Sequence, residues 1–160
     1  VGGAGDGTDP LRPLTNNPVA AATHEQDTSQ AWQGQLQTGQ WLSLRGEQAL
    51  DQALAASRAA GKPVLVDFYA DWCVACKVLE EETLTHPDVL TKLDQHVLLR
   101  VDITEVNRAN QQIMERFNIL GLPCLIFFAG DGQEVADSRV LGEMGPQTFL
   151  SHLAQRVAAG

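Results

Sequence analysis

The run Val64-Leu65-Val66-Asp67-Phe68-Tyr69-Ala70-Asp71-Trp72-Cys73-Val74-Ala75-Cys76-Lys77 decides the reading of this chain. Pro63 opens it, and Val64 to Tyr69 is apolar at every position but Asp67. Branched and aromatic residues in that density suit a strand covered on both faces. Cys73 and Cys76 follow three positions apart, where a helix begins. In the first turn of a helix, residues i and i+3 share a face, so the two sulfurs can meet. The N–H groups there point outward and the helix dipole favours a thiolate on the first sulfur.

These features assign roles. Cys73, the exposed thiol, is the nucleophile that attacks a partner disulfide, and Cys76, one turn deeper, resolves the mixed disulfide. A static disulfide or two buried free thiols are the alternatives. A zinc site needs four ligands, and Cys124, His24, His86, His96 and His152 show no ligand spacing with the pair. No metal and no cofactor is expected beyond the Cys73–Cys76 disulfide itself.

Asp67 lies inside the apolar strand, six residues before Cys73. A buried carboxylate must be protonated or paired, and Asp67 reads as a proton carrier that helps deprotonate Cys76. An edge strand with Asp67 in water is the alternative. Glu80, four residues after Cys76, falls on the same helix face. It is a candidate catalytic residue, with simple solubilisation as the alternative, while Glu81 and Glu82 face solvent. Carboxylates about 6 Å from the Cys73 sulfur would oppose its ionisation by roughly 3 kcal/mol at an effective dielectric of 20. That exceeds the 0.3–1 kcal/mol or so from a helix end, so Cys73 is expected to be a poor thiolate in the isolated domain. Cys124 reads as an inert core thiol, with a third redox partner as the alternative.

Outward from the motif, Trp41 to Leu44 is a short strand and Glu47 to Ala60 a helix ending at Gly61. The helix from Cys73 should run to about Leu84. A turn starts at Pro87, and Val97 to Ile103 is a strand. Thr104 can cap a helix with the stripe Val106, Ala109, Ile113 and Phe117, stopped by a left-handed Asn118. Cys124 to Phe128 is a buried strand, Gly130-Asp131-Gly132 a hairpin turn, and Val135 to Leu141 the returning strand. Gly145-Pro146 starts a last helix with Phe149, Leu150, Leu153 and Val157 inward. The order β-α-β-α-β-α-β-β-α is an α/β fold: a central mixed sheet with helices on both faces.

Val1 to Gly39 is Gly- and Pro-rich and reads as a flexible linker or N-terminal extension, with Trp32 and Leu36 able to dock on the domain of residues 40–160. The chain has 160 residues and a net charge of −9, which argues against nucleic acid or an anionic membrane surface as partner. No run approaches the roughly 18 apolar residues of a membrane span. No basic segment followed by an apolar one marks a signal peptide. The domain is expected to be soluble and monomeric.

Val64 to Lys77, together with Gly121-Leu122-Pro123, resembles the active-site block and cis-proline loop of the thioredoxin superfamily. Tyr-Ala-Asp-Trp-Cys-Val-Ala-Cys-Lys with Glu80 is similar to the C-terminal periplasmic domain of the DsbD family of thiol:disulfide interchange proteins. The resemblance covers about Trp41 to Ala158. It implies a thioredoxin fold, a buried acid at Asp67, a cis peptide at Leu122–Pro123, and a substrate groove formed by Trp72, Leu122, Pro123 and Gly142. It also implies a periplasmic electron shuttle. A membrane-embedded domain of the same full-length protein would reduce Cys73–Cys76. The N-terminal periplasmic domain would then receive the electrons and feed disulfide isomerases and cytochrome c maturation. The family commonly has Thr after the cis proline, where this chain has Cys124. A free-standing thioredoxin-like reductase and a redox-switch binding module are the competing readings.

Overall fold

The computed structural model describes residues 36–157. Trp32, and the expected linker up to residue 35, lie outside the described residues. Leu36 packs against the core, and the Gly39 N–H donates to the His96 carbonyl at 2.9 Å. Folded structure therefore extends a few residues upstream of the boundary expected at residue 40.

The elements are β1 (Trp41–Leu44), α1 (Glu47–Ala59), β2 (Val64–Tyr69), α2 (Val74–Leu79) continued by a π turn (Glu80–Leu84), α3 (Pro87–Lys92), β3 (Val97–Asp102), α4 (Arg108–Arg116), β4 (Cys124–Phe128), β5 (Val140–Leu141) and α5 (Pro146–His152), itself continued by a π turn (Leu153–Val157). One five-stranded sheet has the order β1-β3-β2-β4-β5. β1 and β2 run parallel to β3, whereas β4 runs antiparallel to both β2 and β5. The mixed sheet is the expected one, and β2 is its central strand.

Alternation along the strands separates two cores. Val64, Val66 and Phe68 of β2 join Val97, Leu99, Val101, Cys124 and Ile126 beneath α1 and α4. Leu65 joins Leu98, Leu125 and Phe127 beneath α2, α3 and α5. Asp67 and Tyr69 continue the Leu65 row, so α2 covers them. All six residues of β2 are buried. This is why its sequence is nearly continuously apolar.

Three expectations change. The helix capped by Thr104 begins later, at Arg108, because the Asn107 side chain accepts from the Asn110 N–H at 2.8 Å. Val106 is 85% exposed and Ala109 is also exposed, while Ile113 is buried and Phe117 packs on the core as expected. The strand expected over 135–141 pairs only at Val140 and Leu141, plus a lone bridge from Glu134 to Phe128. Asp137 turns left-handed (φ 56°) and the Ser138 hydroxyl donates to the Val135 carbonyl at 2.7 Å. These short polar side chains offer the backbone a turn in place of the ladder. The long helix from Cys73 starts at Val74 and switches from α to π at Glu80. The left-handed stop at Asn118 (φ 57°) is found as expected.

The hairpin after β4 depends on a missing side chain. A Cβ on Gly130 would meet the Gly61 carbonyl oxygen at 2.7 Å, and that atom is backbone and cannot swing away. Gly130→Ala is expected to destabilise the domain by about 1–3 kcal/mol. Urea unfolding reads this as a lower midpoint, and an unchanged midpoint would show that the turn relaxes freely.

Candidate functional site

Cys73 and Cys76 form a disulfide with their Cα atoms 5.3 Å apart. Cys73 is the N-cap of α2, and its sulfur accepts the Cys76 N–H at 3.1 Å. The hydrogen bond that would stabilise a thiolate on Cys73 is therefore in place. Cys73 is 8% exposed and Cys76 2%. Both cysteines are buried, Cys73 slightly less so than Cys76.

Around the dithiol, Tyr69, Ala70 and the two cysteines make a small cluster on which Ala75 and Leu122 pack. The Leu122–Pro123 peptide is cis. The Gly142 N–H donates to the Pro123 carbonyl at 3.0 Å, and Gly142 has φ 85°. A left-handed glycine thus fastens the end of β5 to the proline loop. The elements that bring Leu122, Pro123 and Gly142 together are β4 and β5, paired through Cys124 and Leu141.

Trp72 is 60% exposed, and its indole N–H donates to the Thr104 carbonyl at 2.9 Å. The Thr104 hydroxyl in turn binds the Asp71 N–H at 2.8 Å, and Asp102 holds Thr104 through both its N–H and its hydroxyl. Thr104, expected to cap a helix, instead ties the segment before Cys73 to the end of β3. Among the described residues, the large apolar side chains left exposed are Trp72, Val74, Val106, Leu120 and Leu141. Trp72 and Val74 flank Cys73, and Val106 follows the loop that holds Trp72. Leu120 precedes the cis proline, and Leu141 stands beside Cys124 in the ladder.

Asp67 is 2% exposed, so the edge-strand alternative does not apply. Its Oδ1 has no hydrogen-bond partner among the described residues. Burial pushes its pKa from 3.8 up to about 7; Arg100 opposes that rise and Glu80 adds to it. Glu80 is not the bare charge the sequence suggests. Its Oε2 accepts from Arg100 Nη1 at 2.8 Å, and the same guanidinium lies 3.5 Å above the Tyr69 ring centroid. The Tyr69 hydroxyl donates to Asp71. Because a cation covers Glu80, and burial raises the Asp67 pKa to about 7 so that the acid is only part-ionised near neutrality, both sources of the expected repulsion on Cys73 are weakened.

Arg100 is the residue that sequence reasoning missed. Its signal was present: one cation in the otherwise apolar run Val97-Leu98-Leu99-Arg100-Val101. In parallel register it stands opposite Asp67. Cys124 is fully buried on the other face, among Phe68 and Ile126. Burial pushes its thiol up to about 11, with Arg139 lowering it and Glu134 and Asp67 adding to the rise. That is the environment of an inert core thiol.

Comparison with known proteins agrees with this geometry. A family model described as thioredoxin-like matches residues 45–130. The thiol:disulfide interchange protein DsbD 1 of Pseudomonas aeruginosa is 50% identical over 106 residues, covering 66% of this chain and 18% of its own length. DsbD 2 of the same organism is 37% identical over 152 residues, covering 95% of this chain and 25% of its own length. The oxidised C-terminal domain of Neisseria meningitidis DsbD superposes with a TM-score of 0.58 at 28% identity, covering 69% of this chain and 97% of that domain. The chain thus spans about a fifth to a quarter of the length of these two curated relatives.

Proposed function

The chain belongs to the thioredoxin-like family, and from that premise we propose that it is a thiol-disulfide exchange domain of the DsbD type. The observation that carries the reading is the Cys73–Cys76 disulfide at the head of α2, beside the cis-proline loop.

Written for the reduced domain, the Cys73 thiolate attacks a partner disulfide and expels one partner thiolate. A mixed disulfide results. Cys76 then loses its proton, and ionised Asp67, buried in β2 with its pKa raised toward neutrality, is the base this reading assigns to it. The Cys76 thiolate attacks the Cys73 sulfur and the second partner thiolate leaves. Two electrons pass to the partner, and the domain ends as the disulfide. The two sulfurs supply all the redox chemistry, so no further cofactor is required.

Trp72 and Val74, exposed on either side of Cys73, support docking of a protein at the dithiol. The partners on this reading are the N-terminal periplasmic domain and the membrane-embedded domain of one full-length protein, in the periplasm. The relatives' greater length supports a single-domain role. Among the described residues, no helix is long and apolar enough to cross a membrane.

A competition experiment tests this. Reduced domain is mixed with the oxidised N-terminal domain of a DsbD relative or with insulin, and disulfide loss is followed by rapid quench. Preference for the N-terminal domain by about tenfold or more, ~1.4 kcal/mol of barrier, is the expected result. Faster reduction of insulin points to a free-standing reductase, and no turnover on either points to a switch module.

A further inference from the structure

Asp67 stands beside an arginine that does not bind it. Asp67 and Arg100 are in-register neighbours on adjacent parallel strands, so their side chains leave the same face of the sheet. Such a pair ordinarily closes into a salt bridge, since the guanidinium fork matches a carboxylate. Here the Arg100 head binds Glu80 at 2.8 Å and sits over Tyr69 with Cζ 3.5 Å from the ring centroid, while Asp67 Oδ1 keeps no partner among the described residues. We propose that Glu80 and Tyr69 sequester Arg100, holding it off Asp67 so that the buried acid stays unpaired and able to exchange a proton with the dithiol.

Two carboxylates compete for one cation. The Glu80 and Arg100 side chains are 30% and 23% exposed, so their pairing keeps both heads partly in water. Pairing at Asp67, which is 2% exposed, would strip the guanidinium of that water as well. Tyr69 adds a flat apolar seat, and its own hydroxyl is tied to Asp71, which fixes the ring. Were Arg100 to move to Asp67, the acid would be held ionised by its partner. An acid so held is a weak base for Cys76. The charged and titratable groups acting on Asp67 are Arg100 from β3 and Glu80 from the π turn, with the Cys124 thiol across the sheet on β4. The dithiol lies at the head of the helix above. Glu80 and Tyr69 are on this account positioning residues, acting through Arg100.

The link to proton exchange with the dithiol rests on the exchange function proposed above, but the test does not need turnover. The Asp67 carboxyl carbon is titrated by NMR in the oxidised full chain, in wild type, Arg100→Met, Glu80→Gln and the double variant. Fixed charges predict that Arg100→Met raises the Asp67 midpoint equally with and without Glu80. Sequestration predicts a rise about twofold larger or more in the Glu80→Gln background, because the freed arginine has moved onto Asp67. Equal rises overturn the proposal. Should Arg100→Met fail to fold, Glu80→Gln alone suffices. Its Arg100 guanidinium nitrogens should shift with the Asp67 midpoint, and guanidinium resonances that ignore Asp67 overturn the proposal. A protein that shows the coupling yet reduces no disulfide would sink the exchange function and leave the arginine's placement standing.

Discussion

Cys76→Ala is expected to convert a passing intermediate into a stable product. In the intact domain the mixed disulfide between Cys73 and a partner is short-lived, because a second thiol lies at Cα–Cα 5.3 Å on the same turn. That placement makes resolution intramolecular, and effective concentrations of this kind exceed any free thiol in solution. Without the Cys76 sulfur the adduct waits for an external thiol. The partner should then run covalently attached on a non-reducing gel and be released by dithiothreitol, while multiple turnover falls by about three orders of magnitude, ~4 kcal/mol. Cys73→Ala should fail at the earlier step. It retains the deeper thiol, 2% exposed in the disulfide form, and should form no adduct and show no turnover. The contrast between the variants is the informative part. Adducts in equal yield from both would mean that either sulfur can meet the partner, and the assignment of nucleophile and resolver would be lost.

The pairing of Cys73 with Cys76 was legible from sequence because it depends on local geometry. A strand, two cysteines three apart and a helix start fix the sulfurs without reference to the rest of the chain. Asp67 was legible for a similar reason: a lone acid in a run buried on both faces can only be neutral or paired. What periodicity could not reach was the register between strands. Arg100 matters because it lies opposite Asp67 across a parallel ladder and under Glu80 from the π turn. Those two relations join residues 20 to 33 positions apart in the chain. The same limit explains Thr104. Its spacing to a following helix suggested a cap, but its hydroxyl accepts the Asp71 N–H, 33 positions away in the chain. The lost strand at 135–141 is a local failure, since Asp137-Ser138 carried a turn signal inside the expected strand.

Asp67 also predicts how stability depends on pH, and the sign is the reverse of a salt-bridged acid. Its pKa is about 7 in the folded protein, against 3.8 for the ordinary side chain, and burial is the leading cause. Between those values the native state holds a proton that the unfolded chain has released. Stability therefore falls as pH rises. The stabilising contribution of the neutral acid is complete below about pH 3.8 and is lost as pH climbs through about 7. A shift of about three units corresponds to ~4 kcal/mol. Other groups titrate over the same range, so the measurement is a difference. Urea unfolding of the oxidised wild type and of Asp67→Asn is followed from pH 4 to pH 8. The amide does not ionise, and its fixed cost as a buried polar group cancels from the slope. Wild type should lose about 4 kcal/mol more than the variant across that interval, most of it before pH 7. Parallel curves would mean that Asp67 ionises in the fold as readily as in water. That outcome would remove the base assigned to Cys76.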